Sequence, residues 1–114
     1  MALKTIDFAD GYTSATLPSA LLMDYTMAVK SADYTLAATD QVIVDDTGVT
    51  LTLPTAVGIE GKWYLVKNIS AGTTTILPNG AETIDGDSSA TLTQQYTSLY
   101  LVSDNANWQV LGSY

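Results

Sequence analysis

Residues 48–54, GVTLTLP, alternate without a break. In an extended chain Val49, Leu51 and Leu53 fall on one side, and Thr50 and Thr52 on the other. Asp46-Thr47-Gly48 before the run is a turn signal, and Pro54 ends it by removing a ladder donor. A strand with one apolar and one hydroxylated face requires a core on one side only. That single run favours a β-protein over a helical one.

Working outward, similar runs recur at short intervals from Tyr25: DYTMAVK, DYTLAA, QVIVDD, KWYLVKNI, TTTIL, ETID, ATLTQ, YTSLYLVS and NWQVLG. Between them lie Ala71-Gly72, Pro78-Asn79-Gly80, Asp85-Gly86 and Asp104 to Asn107, residues that favour turns. TAVGIEG reads as a loop or a single helical turn. The pattern predicts roughly eight to ten short strands in about ninety residues, hence an all-β domain, a compact sandwich or barrel-like fold. Seventeen Thr and nine Ser, with many Val, Ile and Tyr, agree with that class. Asp-Tyr-Thr occurs twice, at Asp24 and Asp33, and reads as two similar strand starts, too short for a solenoid repeat.

Residues 1–22 read as an extended N-terminal arm ahead of a β-domain over 23–114. DFADGYTSATLPS has no sustained period, yet the segment carries Leu3, Ile6, Phe8, Tyr12, Leu17, Leu21 and Leu22. A solvated tail is poor in such groups, so the arm either folds back on its domain or docks on another surface. Ser19 is a possible cap for a short helix over SALLMDYTM.

The chain has 114 residues, suited to one domain, with twelve acidic residues, four lysines, no arginine and no histidine, for a net charge of −8. Lys4, Lys30, Lys62 and Lys67 are scattered, so neither nucleic acid nor an anionic membrane is an expected partner. There is no cysteine, which excludes disulfides, thiolate metal sites and thiol nucleophiles. No apolar run approaches the ~20 residues of a membrane helix, and Asp7 and Asp10 interrupt any signal-peptide core.

Without His or Cys, the common triads and zinc sites cannot be built. A two-carboxylate glycosidase would have to draw on Glu60, Glu82, Asp85 and Asp87, most of which sit beside turn residues. Asp85, Asp87 and Ser89 alternate as an EF-hand loop begins, but Ala90 and Tyr96 stand where its glycine and bidentate glutamate belong. A looser calcium turn at Asp85 and Asp87 stays open, with no metal or other cofactor expected. GIEGK lacks phosphate-loop spacing. The expectation is a non-enzymatic protein with Ile76 and Ile84 in the core and the 82–87 acids as solvated or capping turn residues.

Two strands are apolar on both faces: Trp63 and Leu65 alternate with Tyr64 and Val66, and Tyr96, Tyr100 and Val102 with Leu99 and Leu101. A two-layer protein wets its outer faces, so aromatics on the second face imply a covering arm, a third layer or a partner subunit. A closed homo-oligomer through Trp63, Tyr64, Tyr96 and Tyr100 is the expected arrangement. Trp63, Trp108 and the tyrosines could alternatively form a sugar-stacking platform.

The runs DYTLAATDQVIVDDTGVTLTLP, GKWYLVKNISAGTTTILPNGAETIDG and YTSLYLVSDNANWQVL, about residues 31–111, resemble a β-domain of tailed-bacteriophage virion structural proteins. The resemblance rests on Leu53-Pro54, on Gly61 before Trp63-Tyr64, and on Val66-Lys67-Asn68. It continues through Pro78-x-Gly-x-Glu-Thr-Ile-Asp-Gly86 and Leu101 to Asp104 with Asn107-Trp108. It implies a homotrimer without enzymatic activity on the outer surface of a phage particle, present in host cytoplasm during assembly. The part would be a capsid decoration (cement) protein or head fibre, with a tail fibre or adaptor as the alternative. The arm, through Ile6, Phe8, Tyr12 and Leu17, would bind the major capsid protein or another virion protein.

Overall fold

The computed structural model describes the backbone of residues 3–6 and 15–18 and all of residues 26–114. Strands β1 (Leu3–Ile6) and β2 (Ala15–Pro18) pair antiparallel, from Leu3↔Pro18 to Ile6↔Ala15. The segment expected as an extended arm therefore contains a two-stranded hairpin. Phe8, Tyr12 and residues 19–25 of the expected helix over 19–27 lie outside the described residues, as do the side chains of Ile6 and Leu17; the last residue of that stretch, Met27, begins a strand instead.

Nine further strands follow: β3 (Met27–Lys30), β4 (Tyr34–Thr35), β5 (Val42–Asp45), β6 (Thr50–Thr52), β7 (Trp63–Asn68), β8 (Thr74–Leu77), β9 (Ala90–Leu92), β10 (Thr97–Ser103) and β11 (Trp108–Ser113). They form a five-stranded sheet, β11-β10-β7-β5-β3, and a four-stranded sheet, β4-β6-β8-β9. The all-β class is as expected. ETID is not a strand: only Ile84 makes isolated bridges, to Asp87 and Trp108. The residues around it are spent on turns, with Asp85 and Gly86 both at positive φ.

The two sheets are linked by arches. Each of β3→β4, β5→β6 and β7→β8 leaves the larger sheet and enters the smaller one. Within the larger sheet β3, β5 and β7 are parallel, and within the smaller one β4, β6 and β8 are parallel. Three arched rungs thus stack in register, with columns Ala28–Ile43–Val66 and Lys30–Asp45–Asn68 on one side and Tyr34–Leu51–Ile76 on the other. Antiparallel β9, β10 and β11 close one end of the stack. At the other end, β3 and β4 have no described strand on their outer edges.

The core lies between the sheets. Ile43, Leu51, Leu53, Tyr64, Val66, Ile76, Leu101 and Trp108 are fully buried, and Val49 and Ile84 nearly so. Tyr64 and Trp108 meet at 5.5 Å between ring centroids, and the Trp108 indole N–H donates to the Pro54 carbonyl at 3.3 Å. Burial of Ile76 and Ile84 matches the sequence expectation.

Two polar side chains turn the arches. Asp45 is fully buried. Its Oδ1 accepts from the Thr47 and Gly48 amides at 2.9 and 2.8 Å, and Oδ2 from the Val49 amide and Thr74 hydroxyl at 2.8 and 2.6 Å. Asn68, its neighbour in the column, does the same work for the next arch. Its Nδ2 donates to the Gly72 and Leu92 carbonyls at 2.8 and 3.0 Å, and its Oδ1 accepts from the Ser70 amide and hydroxyl at 2.8 and 2.7 Å. A buried polar group is tolerated when all its partners are supplied. Both arches need a tight return, and Gly48, at φ 86°, meets Gly72 Cα 3.4 Å from where a Cβ would stand.

Candidate interaction surface

The outer face of the five-stranded sheet carries the chain's most unusual surface. Inward positions are known from the core, and alternation fixes the rest. Met27 and Val29 of β3, Val42 and Val44 of β5, Trp63, Leu65 and Lys67 of β7, and Ser98, Tyr100 and Val102 of β10 face outward. Register sets them in rows: Met27–Val42–Leu65–Tyr100, and Val29–Val44–Lys67–Ser98. Trp63 and Tyr100 stack at 5.4 Å and 19° between ring planes. Met27 is 68% exposed and Val29 50%, whereas Val44 in the same row is buried at 8%. On β11, Tyr100 pairs with Gly112 and Leu101 with Val110, which leaves Leu111 on a bulge, 64% exposed.

None of the outward strand residues just named is Asp or Glu, in a chain with twelve of them, and Lys67 is among them. The charge is kept elsewhere. Asp104 holds the β10–β11 turn, accepting from the Asn107 and Ala106 amides at 2.7 and 2.9 Å, bonds that hold its carboxyl below the usual range. Glu82 anchors the 55–56 loop, accepting from the Thr55 hydroxyl at 2.5 Å and the Ala56 amide at 2.9 Å. Asp85 accepts from the Val110 amide at 2.8 Å, and Glu60 and Asp87 are exposed. Glu82 and Asp85 are therefore capping groups, as expected. Among the described residues no three carboxylates converge to hold a metal ion.

The four residues expected at an interface do not stay together. Trp63 and Tyr100 share the outer face. Tyr64 does not: it is fully buried and belongs to the core. The alternation was legible, but which of Trp63 and Tyr64 points inward depends on where the second sheet lies. Tyr96 is 66% exposed at φ 68°, in the turn entering β10, where its amide donates to the Asn68 carbonyl. That is the end of β7 opposite Trp63, about 17 Å along a strand of this length. Trp108, the second aromatic of a possible sugar platform, is fully buried and is unavailable for stacking.

A polar cluster fixes the loop beside β7. Asp40 Oδ2 accepts from the Tyr34 hydroxyl at 2.6 Å and the Ala37 amide at 2.7 Å. The Lys62 ammonium donates to the Asp40 carbonyl at 2.7 Å and Gln41 Oε1 at 3.1 Å, and the Gln41 amide donates to the Trp63 carbonyl. Burial lowers the Lys62 pKa. Burial also pushes the Tyr64 phenol up to about 12, while its hydroxyl donates to the Ala37 carbonyl at 2.8 Å. The hydrogen bond to Asp40 raises Tyr34. Among the described residues no buried side-chain polar atom lacks a partner, and the cluster sets the position of β7 and so of Trp63.

Sequence reasoning placed Leu65 with Trp63 and Val102 with Tyr100 but missed Met27, Val29 and Val42 as parts of this face. The signal was present in MAVK and VIVD, where apolar residues are consecutive. It gains meaning only when parallel pairing places those strands beside β7.

No protein-family model matches the chain, and no curated protein sequence matches it. Among solved structures, a chain described as "Structure of a chaperone-substrate complex" is similar over 96% of this chain at 14% identity, with a TM-score of 0.49. This chain spans 20% of that one's length. A likeness of that degree carries no argument about family or activity.

Proposed function

We propose that the protein is a non-enzymatic structural component of a tailed-phage particle. It would be a capsid decoration protein or short head fibre that trimerises through the outer face of the five-stranded sheet and reaches its capsid partner through the N-terminal segment. The observation that carries this reading is the acid-free, aromatic-bearing face on a strongly acidic chain. Like-charged copies repel, and a face without carboxylates is where they approach at least electrostatic cost. Apolar surface of that kind is normally covered by a partner. The resemblance over residues 31–111 supplies the particle, and the acidic remainder suits an exposed, soluble knob.

Labelled protein added to particles tests the location: signal over the head at a fixed ratio to the major shell protein supports decoration, and signal at the tail supports a fibre or adaptor. Deleting residues 2–20 should abolish particle binding and leave residues 26–114 folded. Wild-type occupancy by the truncated protein would sink the role given to the N-terminal segment. The exposed side of the Trp63–Tyr100 stack also suits an apolar sugar face, so a glycan array with wild type and Trp63→Ala decides the carbohydrate alternative.

A further inference from the structure

Among the described residues the stack of arches has an unfinished end, and the sequence contains a piece of the right design to finish it. Asp45 and Asn68 each end a strand of the larger sheet, and each is followed by a glycine and then by Leu-Pro. Asp45-Asp-Thr-Gly48 leads to Leu53-Pro54, and Asn68-Ile-Ser-Ala-Gly72 to Leu77-Pro78. The same order occurs once more: Asp7-Phe-Ala-Asp-Gly11 leads to Leu17-Pro18. The spacing from Asp7 to Gly11 equals that from Asn68 to Gly72. The onward connection fits as well. In register Met27, Val42 and Leu65 are level. Residues 38–41 join Ala37 to Val42 and residues 55–64 join Pro54 to Leu65, four and ten residues, and the eight residues 19–26 between Pro18 and Met27 fall between these lengths.

The end that this piece would meet is the edge formed by β3 and β4. In a parallel strand the N–H and C=O of one residue point to the same side. Thr26 and Lys30 carbonyls accept from the Val42 and Asp46 amides, so Met27 and Val29 direct their backbone groups to the open edge. Both side chains are half or more exposed. A bare edge in two sheets at once is a liability for an isolated chain.

We infer that β1 and β2 open from their mutual hairpin and stack on this edge of their own chain as a fourth arched rung, β1 parallel to β3 and β2 parallel to β4. Aligning Asp7 with Asp45 and Asn68 sets Ile6 beside Val29, extending the outer apolar row Val29–Val44. Aligning Leu17-Pro18 with Leu53-Pro54 sets Leu17 beside Leu36 in the core and Thr16 beside Thr35 on the outer face. Each strand exchanges one hairpin partner for one neighbour in a larger sheet, and the edge of the stack is covered. A hairpin of four residue pairs is marginal alone, and addition to existing sheets is more cooperative. The connection length assigns the occupant to the same chain, since both a shorter and a longer connection already join one rung to the next. Phe8 and Tyr12, between the two strands, are then left for an outside partner. The rung stands whether or not that partner is a capsid.

The chain has no cysteine, so introduced pairs report alone. Neighbouring strands bring Cα atoms within disulfide range. In dilute full-length protein, Ile6→Cys/Val29→Cys and Thr16→Cys/Thr35→Cys should close within one chain. Both should close at least tenfold faster than Thr5→Cys/Thr16→Cys, which joins the hairpin partners. Equal or faster closure of the hairpin pair, or bridges formed only between chains, overturns the rung. Amide exchange on the unsubstituted protein guards against misfolded variants. The Met27 and Val29 amides should exchange at least a hundredfold slower than free peptide, independent of protein concentration, and lose that protection when residues 2–20 are deleted. Free-peptide exchange in the full chain would refute it.

Discussion

Asp45→Asn alters one buried side chain and keeps its shape, which makes its effect calculable. The carboxylate now serves four donors, two on each oxygen. The amide keeps one acceptor and turns an NH2 toward the other pair. The Thr74 hydroxyl can rotate to accept from that group, but a backbone N–H cannot. One arch amide is therefore left buried and unsatisfied, at roughly 1–3 kcal/mol. The bonds that survive lose charge assistance and about half their strength. Together these give a destabilisation of about 3 kcal/mol, or a fall in Tm of roughly 10 °C for a domain of this size. Urea unfolding should show the midpoint falling by about 2 M with an unchanged slope. A change below about 0.5 kcal/mol would refute the claim that this carboxylate holds the arch.

The same pair of proteins carries a pH signature. Burial alone would raise the Asp45 pKa, but the hydrogen bonds from Thr74 and the Val49, Thr47 and Gly48 amides outweigh it, and the net shift is downward. The folded protein thus binds this proton less readily than the unfolded chain. Its contribution is present in full above the unfolded value, about 3.9, and is lost as pH falls through the depressed folded value. The gap between wild type and Asp45→Asn should be constant from pH 6 to 8 and narrow in acid. A gap that widens in acid would reverse the sign of the argument.

Three other outcomes follow from named contacts. Asn68→Asp replaces the one NH2 group that donates to both the Gly72 and Leu92 carbonyls by a single carboxylate oxygen facing them, and should lower unfolding stability by about 3 kcal/mol in the same urea assay. Trp63→Ala should leave the monomer fold intact by circular dichroism while weakening the proposed self-association in sedimentation at least tenfold, whereas Trp108→Ala should destabilise the fold itself by about 3–5 kcal/mol. The Tyr64 phenol, pushed up to about 12 by burial, adds stability below its unfolded value near 10 that is lost as pH rises through about 12. Tyr64→Phe should remove that alkaline dependence in pH-resolved melts.

Much of the fold is legible in the sequence. Thr50 and Thr52 against Val49, Leu51 and Leu53 identified a strand and its buried side, because a period of two maps directly onto the two faces of a pleat. Turn residues divided the chain nearly where the strands end, except at ETID, where the residues between Pro78 and Gly86 are consumed by successive turns. Trp63 and Tyr100 could be singled out because apolar residues occupied both faces of their strands.

What alternation could not supply is which strand lies beside which. Parallel pairing of β3, β5 and β7 joins residues far apart in sequence, and no local pattern announces it. Only that pairing collects Met27, Val42, Leu65 and Tyr100 into one row, and only the position of the second sheet sends Tyr64 inward and leaves Trp63 outside. Asp45 is the sharpest case. Its composition says turn acid and surface, as for Asp46 beside it. Its burial is decided by an arch whose amides converge on one point, where a carboxylate that would be costly in isolation is fully partnered. The sequence determined the strands, because alternation is local. The tertiary structure decided the faces, because burial depends on neighbours the chain meets only after it folds.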